Sequence, residues 1–106
     1  MHEFQDYHKI NLNIGGKMYN LWVADSDKKK QKGLSTIDHL PDNHGMIFLY
    51  DKIQPSKRKF SMRNTAIPLT IVFLDEKGKT VHQEKCRPFQ DKLIQSSKPY
   101  KYVIEI

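Results

Sequence analysis

An internal disulfide is excluded at the outset, because the 106-residue chain holds a single cysteine, Cys86. A lone thiol suits a reducing compartment. Long apolar runs are missing as well. The longest, residues 67–74, is interrupted by Pro68 and Thr70 and falls far short of the about 20 residues a membrane-spanning helix needs. The first residues, Met1-His2-Glu3-Phe4-Gln5-Asp6, carry neither a basic start nor an apolar stretch. No secretory leader is therefore expected, and the expected location is cytoplasmic. The chain also lacks a glycine-rich phosphate loop, a Cys-x-x-Cys pair, a His-Glu-x-x-His sequence and a serine nucleophile elbow. The commonest signatures of nucleotide, zinc and hydrolase chemistry are thus without support.

Arginine is scarce in a basic chain. The net charge is +6, yet only Arg58, Arg63 and Arg87 of the 18 basic residues are arginine. Lysine is poor at gripping phosphate in a fork or reading base edges. The surplus is therefore read as a solvated surface. Weak nucleic-acid binding through Lys28-Lys29-Lys30, Lys32 and Lys57-Arg58-Lys59 stays as the lesser alternative.

What is present is mostly β patterning. Residues 8–14 and 17–23 each alternate, with Ile10, Leu12 and Ile14 on one face and Tyr19, Leu21 and Val23 on the other strand's face. Gly15-Gly16 between them is a two-residue hairpin signal. Asp25-Ser26-Asp27 supplies helix-capping oxygens, residues 28–32 form a short helical turn, and Gly33 sits where a C-terminal cap glycine belongs. Leu34, Ile37 and Leu40 are expected to tether this polar turn to the core. Residues 46–50 read as a short strand, 51–56 as a loop and 57–63 as a weak strand. Residues 67–74 read as a central strand buried on both faces. Residues 80–86 return after the Asp75-Glu76-Lys77-Gly78 turn. After a polar loop, residues 100–106 form a last strand with Tyr100, Tyr102, Ile104 and Ile106 on one face. The expected fold is mostly β: one domain over residues 1–106, a small antiparallel barrel or sandwich of about seven strands. One short helix follows the first hairpin, and residues 1–7 form a loose N-terminal segment.

A string of short pieces in fixed order runs through this pattern: Lys32-Gly33-Leu34, Leu40-Pro41, Gly45-Met46-Ile47-Phe48, Phe60-Ser61-Met62-Arg63-Asn64-Thr65, Ile67-Pro68-Leu69, Phe73-Leu74-Asp75 and Tyr102-Val103-Ile104-Glu105-Ile106. Over roughly residues 10–106 it resembles domain-of-unknown-function family 192, also called uncharacterised protein family 0127. The resemblance implies a compact β-rich domain with one helix in the N-terminal third, and no established activity. Three departures stand out. Ser61 occupies a place where the family has Trp, Thr70 one where it has Asp, and relatives run on past the last strand. A minimised variant, such as one from a phage genome, is expected to look like this.

Three constellations bear on chemistry. Met62, Arg63, Asn64 and Thr65 form the candidate pocket, with donors for a polar or anionic ligand. The first expectation for this stretch is nevertheless a structural corner in which the Asn64 side chain bonds the local backbone before Pro68, with the pocket role second. His82, Glu84 and Cys86 share one face of a strand but stand about 6.6 Å apart at each step, too far to chelate one ion. His82 lies about 13 Å from Cys86, so it is not placed to activate that thiol. No catalytic residue, metal or cofactor is therefore expected. The function stays unassigned at this level. A small binding or interaction domain for a polar or anionic molecule, or for a protein partner, is preferred. An enzyme using the same cleft is the alternative.

Overall fold

The computed structural model describes residues 3–106. Gly15 and Gly16 adopt φ of +62° and +89°, the sign a tight primed hairpin turn demands at both positions. The Asn13 side chain accepts the Gly16 N–H at 3.0 Å. This turn joins β1 (Lys9–Ile14) to β2 (Lys17–Ala24) in antiparallel register, with Ile14 opposite Lys17. Helix α1 (Asp27–Lys32) starts on Ser26, whose hydroxyl accepts the Lys29 N–H, and stops at Gly33 with φ of +51°. Leu34 and Ile37 are buried and Leu40 packs beside them, so these apolar residues on its C-terminal side anchor the polar helix.

The helix carries the chain back across the sheet, so β3 (His44–Gln54) lies parallel to β2. The remaining strands are β4 (Lys59–Phe60), β5 (Leu69–Leu74), β6 (Thr80–Cys86), β7 (Ile94–Gln95) and β8 (Tyr100–Glu105). Six strands form one sheet in the order β1-β2-β3-β8-β5-β6, and β4 pairs with β7 in a separate ribbon. Every pairing except β2 with β3 is antiparallel.

The mostly β class, with one short helix after the first hairpin, is what the structure shows. Several details differ from expectation. The sheet is open, with β1 and β6 as its edges, and mixed because of the crossover through α1. The apolar run ending at Leu74 is not central. β5 lies one place from the edge, and β3 and β8 occupy the middle. Its apolar character on both sides is explained by a hydrophobic cluster on each face of the sheet. β3 continues through residues 51–54, where a loop was expected, while the strand expected at 57–63 shrinks to Lys59–Phe60. The N-terminal segment is not loose from Phe4 to Tyr7. Phe4 is buried, with its ring centroid 4.4 Å from that of Trp22, and Tyr7 N–H donates to the Phe4 carbonyl. Residues 1–2 lie outside the described residues.

The larger cluster lies under α1 and the loops and includes Trp22, Met46, Phe48, Ile71, Phe73 and Tyr100. The smaller one, on the opposite face, is built from Leu21, Val23, Ile47, Val72, Leu74 and Ile104. β2 therefore feeds both faces, not one. Tyr100 is fully buried between Phe73, Tyr50 and Phe60, at centroid distances of 5.0, 5.8 and 6.1 Å. Its hydroxyl has no hydrogen-bond partner among the described residues. An unpaired buried hydroxyl costs about 1–3 kcal/mol. Tyr100→Phe is therefore expected to raise stability by about 1 kcal/mol in urea unfolding. A loss of stability on that substitution would mean the hydroxyl is already satisfied.

Candidate functional site

Three segments converge on the face of the sheet that carries the larger cluster: the end of α1, the exposed half of β3, and residues 58–65. Between them is an open cleft of about 760 Å³, a volume suited to a small molecule. Gly33, Leu34, Phe48 and Thr65 form its buried floor together with Glu105. Phe60 and Tyr50 stand half-buried on the walls, and Lys52, Arg58, Lys59, Ser61 and Asn64 are exposed at the rim.

Glu105 is the unusual member. On β8 it lies in register between Met46 of β3 and Ile71 of β5, both in the larger apolar cluster. Its side chain makes no hydrogen bond or ion pair among the described residues, and burial alone pushes its carboxyl up to about 7. Gly33 passes directly above it. A Cβ on Gly33 would stand 3.7 Å from Glu105 Oε1 and 3.4 Å from Phe48 Cζ.

Cations outnumber carboxylates in the lining: Lys30, Lys32, Lys52, Arg58 and Lys59 against Asp27, Asp51 and Glu105. Three of the cations are occupied. Lys30 donates to the Leu49 carbonyl at 2.7 Å with its ammonium over the Tyr50 ring. Lys32 pairs with Glu3 at 3.0 Å, and Arg58 donates to Gln54 Oε1 at 2.8 Å. Lys52 and Lys59 form no ion pair among the described residues. Burial, followed by the proximity of Tyr100, raises the Tyr50 hydroxyl well above its ordinary range, so Tyr50 presents a neutral O–H.

Of the four residues expected to form a pocket, Asn64 and Thr65 line this cleft. Met62 is in the core and Arg63 is exposed outside the lining. The corner before Pro68 is held by the Thr65 N–H donating to the Met62 carbonyl at 3.0 Å. The Ser61 hydroxyl also accepts the Arg63 N–H at 3.2 Å. The Asn64 side chain takes no part in those bonds, contrary to its expected backbone-holding role. Asn64→Ala should accordingly leave stability within about 0.5 kcal/mol in chemical unfolding, as for exposed positions away from a structural feature. A loss above about 1 kcal/mol would restore the structural role.

On β6, His82 Nε2 stands 3.5 Å from Glu84 Oε1, and both are half-buried. Cys86 is buried, and burial, followed by Glu84, pushes its thiol up to about 11. That is a thiol without nucleophilic character at neutral pH. Glu105, Gly33, Phe48 and Tyr50 were missed as site residues by sequence reasoning. The available signal for Glu105 was a carboxylate beside Ile104 in a chain-terminal strand otherwise rich in apolar residues.

The family model described as Uncharacterized ACR, DUF192, matches residues 10–106. Two solved structures resemble the chain, each with a TM-score of 0.77 and 26% identity over 94% of it. One is a candidate transcription regulator from Sinorhizobium meliloti 1021, of which 81% is covered. The other is a protein of unknown function from Novosphingobium aromaticivorans DSM 12444, of which 72% is covered. No curated protein matches. No described helix is long and apolar enough to cross a membrane.

Proposed function

The chain belongs to the DUF192 family, and we propose that it is a small-molecule binding domain whose ligand, polar or anionic, occupies the cleft over Glu105. The observation that carries this reading is the carboxyl of Glu105, a residue 8% exposed at the cleft floor, with no hydrogen bond or ion pair among the described residues. Burying an unpaired polar group costs several kcal/mol, and a ligand hydrogen-bonded to it would offset that cost. Aromatic walls with a few polar groups aimed inward are the usual composition of such a site. A lone buried thiol fits a cytoplasmic setting for this domain.

An enzyme is the second reading, favoured by one fact: a carboxyl near 7 is suited to acid–base work at neutral pH. Catalysis needs a partner group within hydrogen-bond reach, and Glu105 has none among the described residues, which favours binding. Regulation of transcription, suggested by the name of one structural neighbour, is compatible with an effector-binding domain. Direct nucleic-acid binding through α1 is less well supported. Lys29, Lys30 and Lys32 are turned onto Tyr7, Tyr50 and Phe4.

Amide NMR spectra recorded with benzoate, glucose and adenosine monophosphate at 10 mM test the reading. At least one of the three is expected to shift Gly33, Tyr50, Ser61 and Asn64 together. Shifts confined to other surfaces, or none with any probe, would defeat it.

A further inference from the structure

We propose that the cleft takes a small ring-bearing organic carboxylate, its ring against Phe48, Tyr50 and Phe60 and its carboxylate between Lys52 and Lys59 at the rim and the Glu105 carboxyl at the floor. This rests on the binding reading above and narrows it to one ligand class.

Three observations lead there. First, the lining holds five cations against Asp27, Asp51 and Glu105, so its field favours an anion even with all three acids ionised. Second, none of those cations neutralises Glu105. Burial alone acts on its carboxyl, which means positive charge and buried acid face the same space without touching. An anion placed in that space contacts both. It meets ammonium groups at the rim, and at the floor it accepts the O–H of the protonated acid. Hydrogen bonds from a neutral acid to a carboxylate are among the short, strong ones. Third, the walls are aromatic. Phe60 and Tyr50 stand half-buried on the walls above the buried Phe48, and aromatic side chains favour contact with another flat ring. Gly33 keeps the approach to Glu105 Oε1 open, where a side chain would narrow it.

The proton belongs to Glu105 because the groups around it do not compete. Its neighbours in register, Met46 and Ile71, are apolar. The titratable groups that feel its charge are Tyr50 on β3 and Cys86 on β6, both kept neutral by burial. Lys30 and Lys32 on α1 are committed to Leu49 and Glu3. Arg58 reaches the cleft from the segment leading into β4, and Lys59 from β4 itself. No histidine lines the cleft.

Benzoate titrated into the whole chain at pH 5.5 and pH 8.5, read by the amide shifts of Gly33, Tyr50 and Asn64, tests the proposal. Benzoate is ionised at both values, so any change comes from the protein. With Glu105 mostly protonated at the lower pH and about 3% protonated at the higher, the apparent Kd should rise about 30-fold. Glu105→Gln, which donates at every pH, should bind with one Kd at both values. Lys52→Ala with Lys59→Ala should weaken binding at both. A wild-type Kd equal within twofold at the two pH values overturns the proposal. So does benzamide, the neutral analogue, binding as tightly as benzoate. In either case cleft binding by a neutral probe leaves the broader binding reading standing, whereas glucose, adenosine monophosphate and benzoate all failing at the cleft removes both.

Discussion

Between about pH 4.5 and pH 7 the domain is expected to lose about 3 kcal/mol of stability through one residue, Glu105. Burial raises its carboxyl from the ordinary 4.5 to about 7, and each unit of difference corresponds to about 1.4 kcal/mol. The folded state holds a proton in that window that the unfolded state has released, so stability falls as pH rises. The contribution is complete below the unfolded value and gone above the folded one. Glu105→Gln removes the linkage while keeping size and a donor. The measurement is the difference in unfolding free energy between wild type and Glu105→Gln, by urea, at intervals from pH 4 to pH 9. Taking the difference cancels the other carboxylates. Wild type should lose ground to the variant by about 3 kcal/mol across the window. A difference that stays constant would mean the carboxyl is solvated or paired.

Gly45→Ala is expected to cost about 3 kcal/mol, at the upper end for forced overpacking. Gly45 sits at the start of β3, opposite Leu21 of β2. A Cβ there would overlap the Glu105 carbonyl oxygen and lie 2.5 Å from Ile106 Cγ2 and 3.1 Å from Leu21 Cδ2. The first of these is backbone of the neighbouring strand and has no rotamer by which to move aside. Gly78→Ala is the contrast: its Cβ meets nothing within 4 Å, and only a φ of +81° resists it, a strain of about 1 kcal/mol. Both values are read from urea midpoints at constant m. Equal losses at the two positions would show that the sheet yields at Gly45.

Much of the local structure was legible, because its causes are local. Gly15-Gly16, Ser26 and Gly33 act through backbone conformation and capping within a few residues, and each sits where its chemistry requires. The sheet order was not legible. Pairing β8 between β3 and β5 depends on contacts far apart in sequence, and no alternation encodes them. That gap also hid the site. Tyr102 and Ile104 share one face, and nothing in the alternation assigned Glu105 a place in a site. Both faces of the sheet are buried, and this placed its carboxyl on the larger core cluster. Asn64 and Thr65 were singled out for a pocket by their polar side chains and do line the cleft. Arg63, chosen for its charge, is exposed outside the lining, on the turn that the Thr65 N–H closes onto the Met62 carbonyl.

The position of β8 in the sheet also governs when the molecule can assemble. β1, β2 and β3 form one half-sheet, β5 and β6 another, and only β8 is bonded to both. During synthesis the two halves emerge from the ribosome without the strand that joins them, each presenting an unpaired edge. Vectorial folding, N-terminal part first, is the common course for larger chains. Here the two half-sheets stay unjoined until Tyr100 to Glu105 pairs with both β3 and β5. The same pairing that unites the sheet seats Glu105 beneath Gly33, so the cleft floor is complete only once β8 is in place.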